Sequence, residues 1–203
     1  MSKRVYISAD YAPYDGDQNV VDVLHQWGKD DKHKTYFVDT AQVSSGSVSD
    51  DLDCRPCDLK AEFNNQINAS SVVIIVVGNK TSSRTAGNGC ERYFKKQSEC
   101  SCTPYKQNTK GTKECKVKKT YNASSVGNVG NINSYSYLRH EFEQAKKKNK
   151  TIIVVYNSLY KQPEWLPGYL SDYKDDAQPF WVKNVSGNKV GNYQYIKKAL
   201  GYD

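Results

Sequence analysis

Two apolar runs restrict the folds open to this chain. Ser71-Val-Val-Ile-Ile-Val-Val77 and Thr151-Ile-Ile-Val-Val-Tyr156 are continuous and rich in β-branched residues, without alternating polar positions. Such runs are typical of strands buried on both faces, which occur in parallel sheets covered by helices on each side. The sequence therefore predicts an α/β domain built on a mostly parallel sheet.

Strand and helix patterns alternate around these two runs. Apolar residues recur with helical spacing at Val20, Val23, Leu24 and Trp27, and again at Leu59, Phe63 and Ile67. With right-handed crossovers, this alternation predicts a flavodoxin-like, doubly wound sheet of five strands in the order 2-1-3-4-5, as one domain over residues 1–203. The remaining predicted strands are Arg4–Ser8, Lys34–Val38 and one near Pro179–Val182, and the remaining predicted helices are Tyr137–Lys148 and Tyr193–Leu200.

Residues 85–133 interrupt this pattern after the third strand. They show no sustained periodicity and are rich in Lys, Ser, Gly and Asn. Because a connection from strand to helix usually takes about 2–6 residues, we expect an insertion that forms a small subdomain, a flap or another functional excursion.

Cysteine is frequent for a chain predicted to lie in a reducing compartment. A structural zinc site of thiolates, free thiols in an insertion, and a redox or disulfide role all remain open, because the spacing matches no tight zinc template. No cofactor is expected otherwise. The six candidates are Cys54, Cys57, Cys90, Cys100, Cys102 and Cys115.

Charge and hydropathy narrow the class of protein. The formal net charge is +7, from 29 Lys and Arg against 22 Asp and Glu, which favours anionic ligands. The lysines cluster in Lys95–Lys96, Lys106–Lys119 and Lys146–Lys150 with few interleaved aromatics, so nucleic acid is not the expected partner. With no signal peptide and no apolar run near the roughly 18 residues that span a bilayer, we expect a soluble, cytoplasmic protein without a membrane partner.

Polar residues follow the predicted strands where a doubly wound sheet forms its ligand crevice. Small, hydroxylic and cationic side chains there suit a phosphate-bearing ligand, although no P-loop or GxGxxG fingerprint is present. A phosphoacceptor receiver domain is disfavoured, because Gly78 stands where its acceptor aspartate would be. The candidate binding residues are Ser8, Asp10, Tyr11, Asp39, Gly78, Thr81, Ser83 and Arg84.

The predicted helix before the fourth strand contains two nearby carboxylates. Glu141 and Glu143 are two residues apart, so they face different sides of the helix and only one can point inward. We expect Glu141 to be the inward one and a catalyst, with a solvated helix face as the alternative. His140 is a second catalytic candidate, able to bind phosphate or move a proton, or else a structural residue.

Three segments together resemble a TIR domain, and more specifically the TIR-like proteins of bacterial Thoeris antiphage systems. Tyr137 stands where that family usually has a tryptophan, and we expect it to contact the substrate. The segments are Lys3-Arg-Val-Tyr-Ile-Ser8, Val73-Ile-Ile-Val-Val-Gly-Asn-Lys-Thr-Ser-Ser-Arg84 and Tyr137-Leu-Arg-His-Glu-Phe-Glu-Gln-Ala145.

This resemblance implies that the substrate is NAD and that the bond between nicotinamide and ribose is cleaved. The protein would be an NAD glycohydrolase, an ADP-ribosyl cyclase or an ADP-ribosyl transferase, and Glu141 matches the family's glutamate. Its product would be an ADP-ribose-derived signal that activates a nucleotide-sensing effector protein. A phage-derived trigger and homo-oligomerisation are further expectations.

Two other functions stay open at this point. The chain could be a non-catalytic TIR scaffold or adaptor that acts by protein–protein interaction, or a nucleic-acid-binding protein that uses its basic insertion. Release of nicotinamide from NAD would distinguish the NAD-cleaving enzyme from both of these alternatives.

Overall fold

The computed structural model describes residues 3–10, 15–29, 35–39, 56–84, 105–108, 111–114 and 136–202. Within these ranges, strands and helices alternate along the chain, and two short 3₁₀ segments, Pro163–Trp165 and Gly168–Tyr173, follow the sixth strand. The strands are β1 (Lys3–Ser8), β2 (Thr35–Asp39), β3 (Val72–Val77), β4 (Tyr105–Asn108), β5 (Gly111–Glu114), β6 (Thr151–Tyr156), β7 (Gln178–Pro179), β8 (Trp181–Lys183) and β9 (Lys189–Gly191). The helices are α1 (Gln18–Gly28), α2 (Pro56–Ala69), α3 (Tyr137–Lys147) and α4 (Tyr193–Ala199).

Four parallel strands form the body of the sheet, in the order β2-β1-β3-β6. All six residues of β3 are buried, as the apolar run predicted, because β3 lies between two strands and is covered on both faces. The α/β class and the order of these four strands are as predicted. The next position is taken by β7, which is only two residues long and pairs with the end of β6.

The predicted strand near Pro179–Val182 was wrong as a single element. Gln178 and Pro179 pair with β6, whereas Trp181–Lys183 forms a separate antiparallel hairpin with Lys189–Gly191. Proline has no backbone N–H to donate to a further strand, which restricts it to sheet edges and strand ends. The chain therefore leaves the sheet directly after Pro179.

Two apolar layers cover the sheet. On one face, Val5 and Ile7 pack with Val20 and Leu24 of α1 and with Ile196 of α4. On the other face, Tyr6 and its neighbours on the central strands pack with α2 and α3. Because successive residues of a strand point to opposite faces, Ser8 lies on the same face as Tyr6, facing α3.

A tight turn connects α3 to β6. Asn149 adopts a left-handed conformation, with φ of 51°, and the Lys150 backbone N–H donates to the Ala145 carbonyl over 3.0 Å. Asparagine tolerates this conformation better than most residues. The Lys150 ammonium also donates to the Asn68 carbonyl at the end of α2, over 2.8 Å. The turn fixes α3 against both the sheet and α2.

Two short strands are described within the predicted insertion. Tyr105–Asn108 and Gly111–Glu114 pair as an antiparallel hairpin. The extent of the insertion, 85–133, and its relation to the domain stay predictions, because the other residues of that range lie outside the described ones. None of the helices within the described ranges has the length and apolar character needed to cross a membrane.

Candidate functional site

Helix α3 turns Glu141 toward the sheet. Its buried residues are Leu138, Glu141, Phe142 and Ala145, which recur at the three- and four-residue intervals of one helical face. Glu141 is only 1% exposed, whereas Glu143 lies on the exposed face. The Ser136 hydroxyl caps the start of the helix by accepting from the Arg139 backbone N–H. A carboxyl group thus occupies a position that an apolar side chain would ordinarily fill.

Burial controls the electrostatics of this carboxyl group. Desolvation raises the pKa of Glu141 from 4.5 to about 8, and the hydroxyls of Ser8 and Tyr6 partly offset that rise. Among the described residues, the Glu141 Oε2 atom and the buried Ser8 hydroxyl have no hydrogen-bond partner of normal geometry. Buried polar atoms are nearly always hydrogen-bonded, so a buried carboxyl oxygen without a partner of normal geometry is unusual. It is a place where a polar ligand could bind.

Aromatic rings surround the part of α3 that carries Glu141. The Tyr137 ring meets the Phe63 ring of α2 edge to face, with 5.6 Å between centroids. The Tyr169 ring lies 5.6 Å from the Phe142 ring, next to Glu141 in sequence. Desolvation raises the pKa of Tyr169, a hydrogen bond with the Ser136 side chain partly offsets that rise, and the Glu141 carboxylate adds to it. The sequence interpretation missed Tyr169, because its only signal was one tyrosine among many in an irregular segment.

His140 faces the neighbouring helix. Its Nε2 atom lies 3.0 Å from the Asn64 Oδ1 atom of α2, within hydrogen-bond distance. This contact holds α2 and α3 together, which agrees with the structural alternative considered for His140. Its catalytic role stays a prediction.

A second polar group follows β1 and β3, built around Arg84. The Arg84 Nε atom donates to the Asp10 carboxylate over 2.6 Å, and an Arg84 Nη atom donates to Asp15 over 2.8 Å. Asp10 is 6% exposed, whereas Arg84 is 33% exposed. The guanidinium expected to bind phosphate is therefore paired with two carboxylates from the segment before α1.

Gly78, Thr81 and Ser83 form a local turn after β3. The Gly78 backbone N–H donates to the buried Thr81 hydroxyl over 2.8 Å, and the Ser83 hydroxyl donates to the Lys80 carbonyl over 3.0 Å. These hydroxyls hold the turn itself, as turn residues commonly do. Ligand binding by the three residues stays a prediction.

Asp17 is a buried acid that the sequence interpretation did not select. Burial raises its pKa from 3.8 to about 6, and the Asn157 side-chain amide, which donates over 2.8 Å, partly offsets this. A β-carbon at Gly78 would collide with the Asp17 carboxylate, so only glycine fits there. A position directly before a helix, such as that of Asp17, is typical of a helix cap. Nothing in the sequence indicates that the Asp17 carboxylate lies against Gly78.

The remaining predicted residues have limited structural information. Tyr11 and five of the six cysteines lie outside the described residues. For Asp39 and Cys57, the structure describes the backbone only. No cluster of three or more metal-ligating side chains occurs among the residues that the structure describes. Zinc binding by the cysteines stays a prediction.

A comparison with protein families decides the relationship suggested by the sequence. Residues 6–88 match the family model of the TIR-like domain of Thoeris protein ThsB. This part, under half of the chain, is similar to a Thoeris TIR-like domain. The resemblance seen in the sequence is thereby confirmed, and the four-stranded parallel sheet agrees with a TIR-like fold. No curated protein matches the chain.

The ThsB-like match and the candidate catalyst lie in different parts of the chain. The matched residues include the end of β1, all of β3 and the Arg84 group, and they end before Glu141. The fold nevertheless brings the two parts together, because Ser8 of β1 approaches the Glu141 carboxyl group. The likeness to antiphage-defence TIR-like domains therefore rests on the matched part, and the candidate catalyst lies outside it, in α3.

Proposed function

We propose that this ThsB-like protein consumes NAD, cleaving the bond between nicotinamide and ribose to give an ADP-ribose-derived signal in antiphage defence. The single observation that carries the proposal is the buried Glu141 carboxyl group, whose Oε2 atom has no partner among the described residues. The match to a Thoeris TIR-like domain supports NAD as the substrate.

The proposed reaction needs one negative charge near the ribose. As the bond between ribose C1′ and the pyridinium nitrogen breaks, both electrons go to nicotinamide, which leaves as a neutral molecule. The ribose becomes oxocarbenium-like and positively charged, and a carboxylate held beside it stabilises that charge. The oxygen of an acceptor then bonds to C1′ and loses its proton. Water, the substrate itself or a second molecule could serve as acceptor, giving a hydrolysed, cyclic or conjugated product.

The ionisation of Glu141 suits a cationic substrate. With a pKa of about 8, the carboxyl group of the free protein is largely protonated at neutral pH. A positive charge within about 4–6 Å favours the ionised form of a carboxyl group and lowers its pKa. Binding of the pyridinium-bearing substrate would therefore generate the carboxylate where it is used. We propose that the other predicted binding residues, Ser8, Tyr11, Asp39 and Tyr137, line the same site.

The product would act on a partner. We propose that it activates a nucleotide-sensing effector protein, and that a phage-derived trigger or self-association switches the enzyme on.

The test compares two glutamates of one helix. Purified wild-type protein, Glu141→Gln and Glu143→Gln are incubated with NAD, with and without extract of phage-infected cells, and free nicotinamide is followed. We expect Glu141→Gln to lose about 100-fold or more of the rate, the usual range for removing a group that stabilises transition-state charge. Glu143→Gln, exposed and two residues away, should keep it.

The outcomes separate an enzyme from an adaptor. Full turnover by Glu141→Gln would remove Glu141 as the catalyst. Absence of nicotinamide release by the wild-type protein, even with infected-cell extract that contains the trigger, would favour the scaffold function. In that case Glu141→Gln and wild-type protein should protect cells from phage equally well.

A further inference from the structure

Tyr6 of β1 brings a phenol group to the buried carboxyl group of α3. Tyr6 is fully buried, and it lies in the same apolar layer as Phe142, the neighbour of Glu141 in sequence. Side chains two residues apart on a strand point to the same face, so Tyr6 and Ser8 both face α3. The hydroxyls of both contact the Glu141 carboxyl group as hydrogen-bond partners. One strand therefore presents two hydroxyls to a single acid.

Within the described part of the chain, these hydroxyls are the polar surroundings of the carboxyl group. The pKa of Glu141 depends on burial and on the two hydroxyls of β1, and no charged side chain among the described residues contributes to it. From the 3₁₀ segment Gly168–Tyr173, Tyr169 responds to the Glu141 charge by a rise in its own pKa. From α2, Asn64 contacts His140 instead.

The hydroxyl of Tyr6 is not needed to fill the apolar layer. A phenylalanine ring would occupy nearly the same volume, and a buried tyrosine hydroxyl usually has a hydrogen-bond partner. In the free protein, neither the Tyr6 nor the Ser8 hydroxyl meets the carboxyl group with normal hydrogen-bond geometry. Hydrogen bonds to a carboxylate are shorter and stronger than those between neutral groups. We therefore expect both contacts to tighten when Glu141 ionises.

We propose that Tyr6 is a positioning residue for Glu141: its hydroxyl donates to the carboxyl group, fixes its orientation and stabilises its ionised form. This deepens the proposed function and rests on it. A carboxylate is strongly unfavourable in an apolar interior unless it is hydrogen-bonded. A donor on a central strand lowers that cost at the place where the proposed reaction needs a negative charge. Tyr6 thus acts through Glu141 and not on the substrate.

The test removes the Tyr6 hydroxyl. Tyr6→Phe keeps the ring in place, and Tyr156→Phe is a matched control, because Tyr156 of β6 is equally buried in the same layer. The charge that acts on Tyr156 is that of Glu164, and Tyr156 does not contribute to the pKa of Glu141. Carbon-13 NMR of glutamate-labelled protein follows the Glu141 carboxyl carbon from about pH 5 to about pH 10. Its signal is assigned by its loss in Glu141→Gln.

Removing a hydrogen bond to the ionised form raises the pKa of a carboxyl group. We expect a titration midpoint of about 8 for Glu141 in wild-type protein and in Tyr156→Phe. In Tyr6→Phe the midpoint should lie about one pH unit higher, a roughly 10-fold weaker acid, which is the range for losing one hydrogen bond to a charged group. An unchanged midpoint in Tyr6→Phe, or an equal rise in Tyr156→Phe, would overturn the proposal. Failure of Tyr6→Phe to fold would assign the hydroxyl to stability and also overturn it.

The pH profile of nicotinamide release distinguishes a positioning role from a structural one. If the Glu141 carboxylate is the catalyst, the rate rises with pH as Glu141 ionises. In Tyr6→Phe this rise should move to higher pH together with the NMR midpoint. The rate should then be about 10-fold lower on the rising part of the profile and close to wild type above it. A purely structural role would lower the rate by the same factor at every pH.

The two readouts distinguish failure of this proposal from failure of the proposed function. A higher Glu141 midpoint in Tyr6→Phe, without nicotinamide release by wild-type protein even with infected-cell extract, would contradict the enzymatic function and leave the hydroxyl contact standing. Nicotinamide release with the same pH profile in wild type and Tyr6→Phe would overturn the positioning role and leave the enzyme. An unchanged midpoint together with no nicotinamide release would overturn both.

Discussion

Two groups of acids lie at the carboxyl edge of the same sheet, and they differ in whether their carboxylate oxygens have partners. Asp10 and Asp15 are paired with the Arg84 guanidinium. Glu141 lies on the other face, among tyrosines, with one oxygen unpartnered among the described residues. A paired carboxylate contributes to stability, whereas an unpaired buried one lowers it. The difference indicates that the first group builds the edge of the sheet and the second is available for chemistry.

The stability of Glu141→Gln gives the strongest test of this comparison. The pKa of Glu141 is 4.5 when unperturbed and about 8 in the folded protein, so folding retains a proton that the unfolded chain releases. The contribution of Glu141 to wild-type stability is therefore highest below pH 4.5 and falls as pH rises to about 8, by at most about 5 kcal/mol at 1.4 kcal/mol for each pKa unit.

Glutamine does not titrate, so Glu141→Gln should gain stability over wild type between pH 5 and pH 8.5. Urea denaturation at several pH values measures the difference. Glu143→Gln provides the control and should show no such trend. A variant that is less stable than wild type at pH 8.5 would place a favourable partner on the Glu141 carboxylate and contradict the comparison.

Gly78→Ala tests the packing of the turn after β3 against Asp17. The new methyl would collide with the Asp17 carboxylate, and overpacking of this kind costs about 1–3 kcal/mol. Thermal or urea denaturation measures the loss. Because the clash is with one side chain, adding Asp17→Ala to Gly78→Ala should recover part of the lost stability. If Gly78→Ala costs as much stability in the Asp17→Ala protein as in wild type, the strain lies in the backbone.

Arg84→Met tests whether the ion pairs stabilise the edge. It removes the guanidinium that partners the buried Asp10 carboxylate, and we expect a loss of about 1–2 kcal/mol, below the range for a fully buried pair because Arg84 is one-third exposed. Asp10→Asn should restore stability to Arg84→Met if the loss is due to the unpaired charge. If NAD turnover also falls in Arg84→Met, Arg84 contributes to substrate binding as first expected.

Asp15→Asn should have the smallest effect. Asp15 is 50% exposed, and exposed ion pairs contribute about 0–1 kcal/mol. A double-mutant cycle with Arg84→Met gives the coupling energy. A coupling larger than that between Arg84 and Asp10 would reverse our assignment of the main partner.

The sequence was a good guide where periodicity determines structure. The apolar runs predicted β3 and β6 within a residue, since burial on both faces leaves a continuous signal. Helical spacing likewise predicted that Glu141 and Glu143 face different sides of the helix. Pro179 was placed in one strand with Val182, because the change to a separate hairpin depends on pairing with Lys189–Gly191, which no local pattern reveals.

Contacts between distant residues could not be predicted in this way. Arg84 was expected to bind phosphate, because the sequence gives no sign that Asp10, 74 residues earlier, is its partner. The packing of Tyr169 on Phe142 was missed for the same reason. Side-chain pairing depends on the folded arrangement of elements, whereas the alternation of apolar and polar residues depends only on the element itself.

The left-handed turn at Asn149 joins the helix bearing Glu141 directly to β6, with the Lys150 backbone N–H bonded back to the Ala145 carbonyl. The position of this acid is therefore coupled to a central strand of the sheet. In the proposed enzyme, regulation would act on the approach of the substrate or on the ionisation of the carboxyl group, with its location constant.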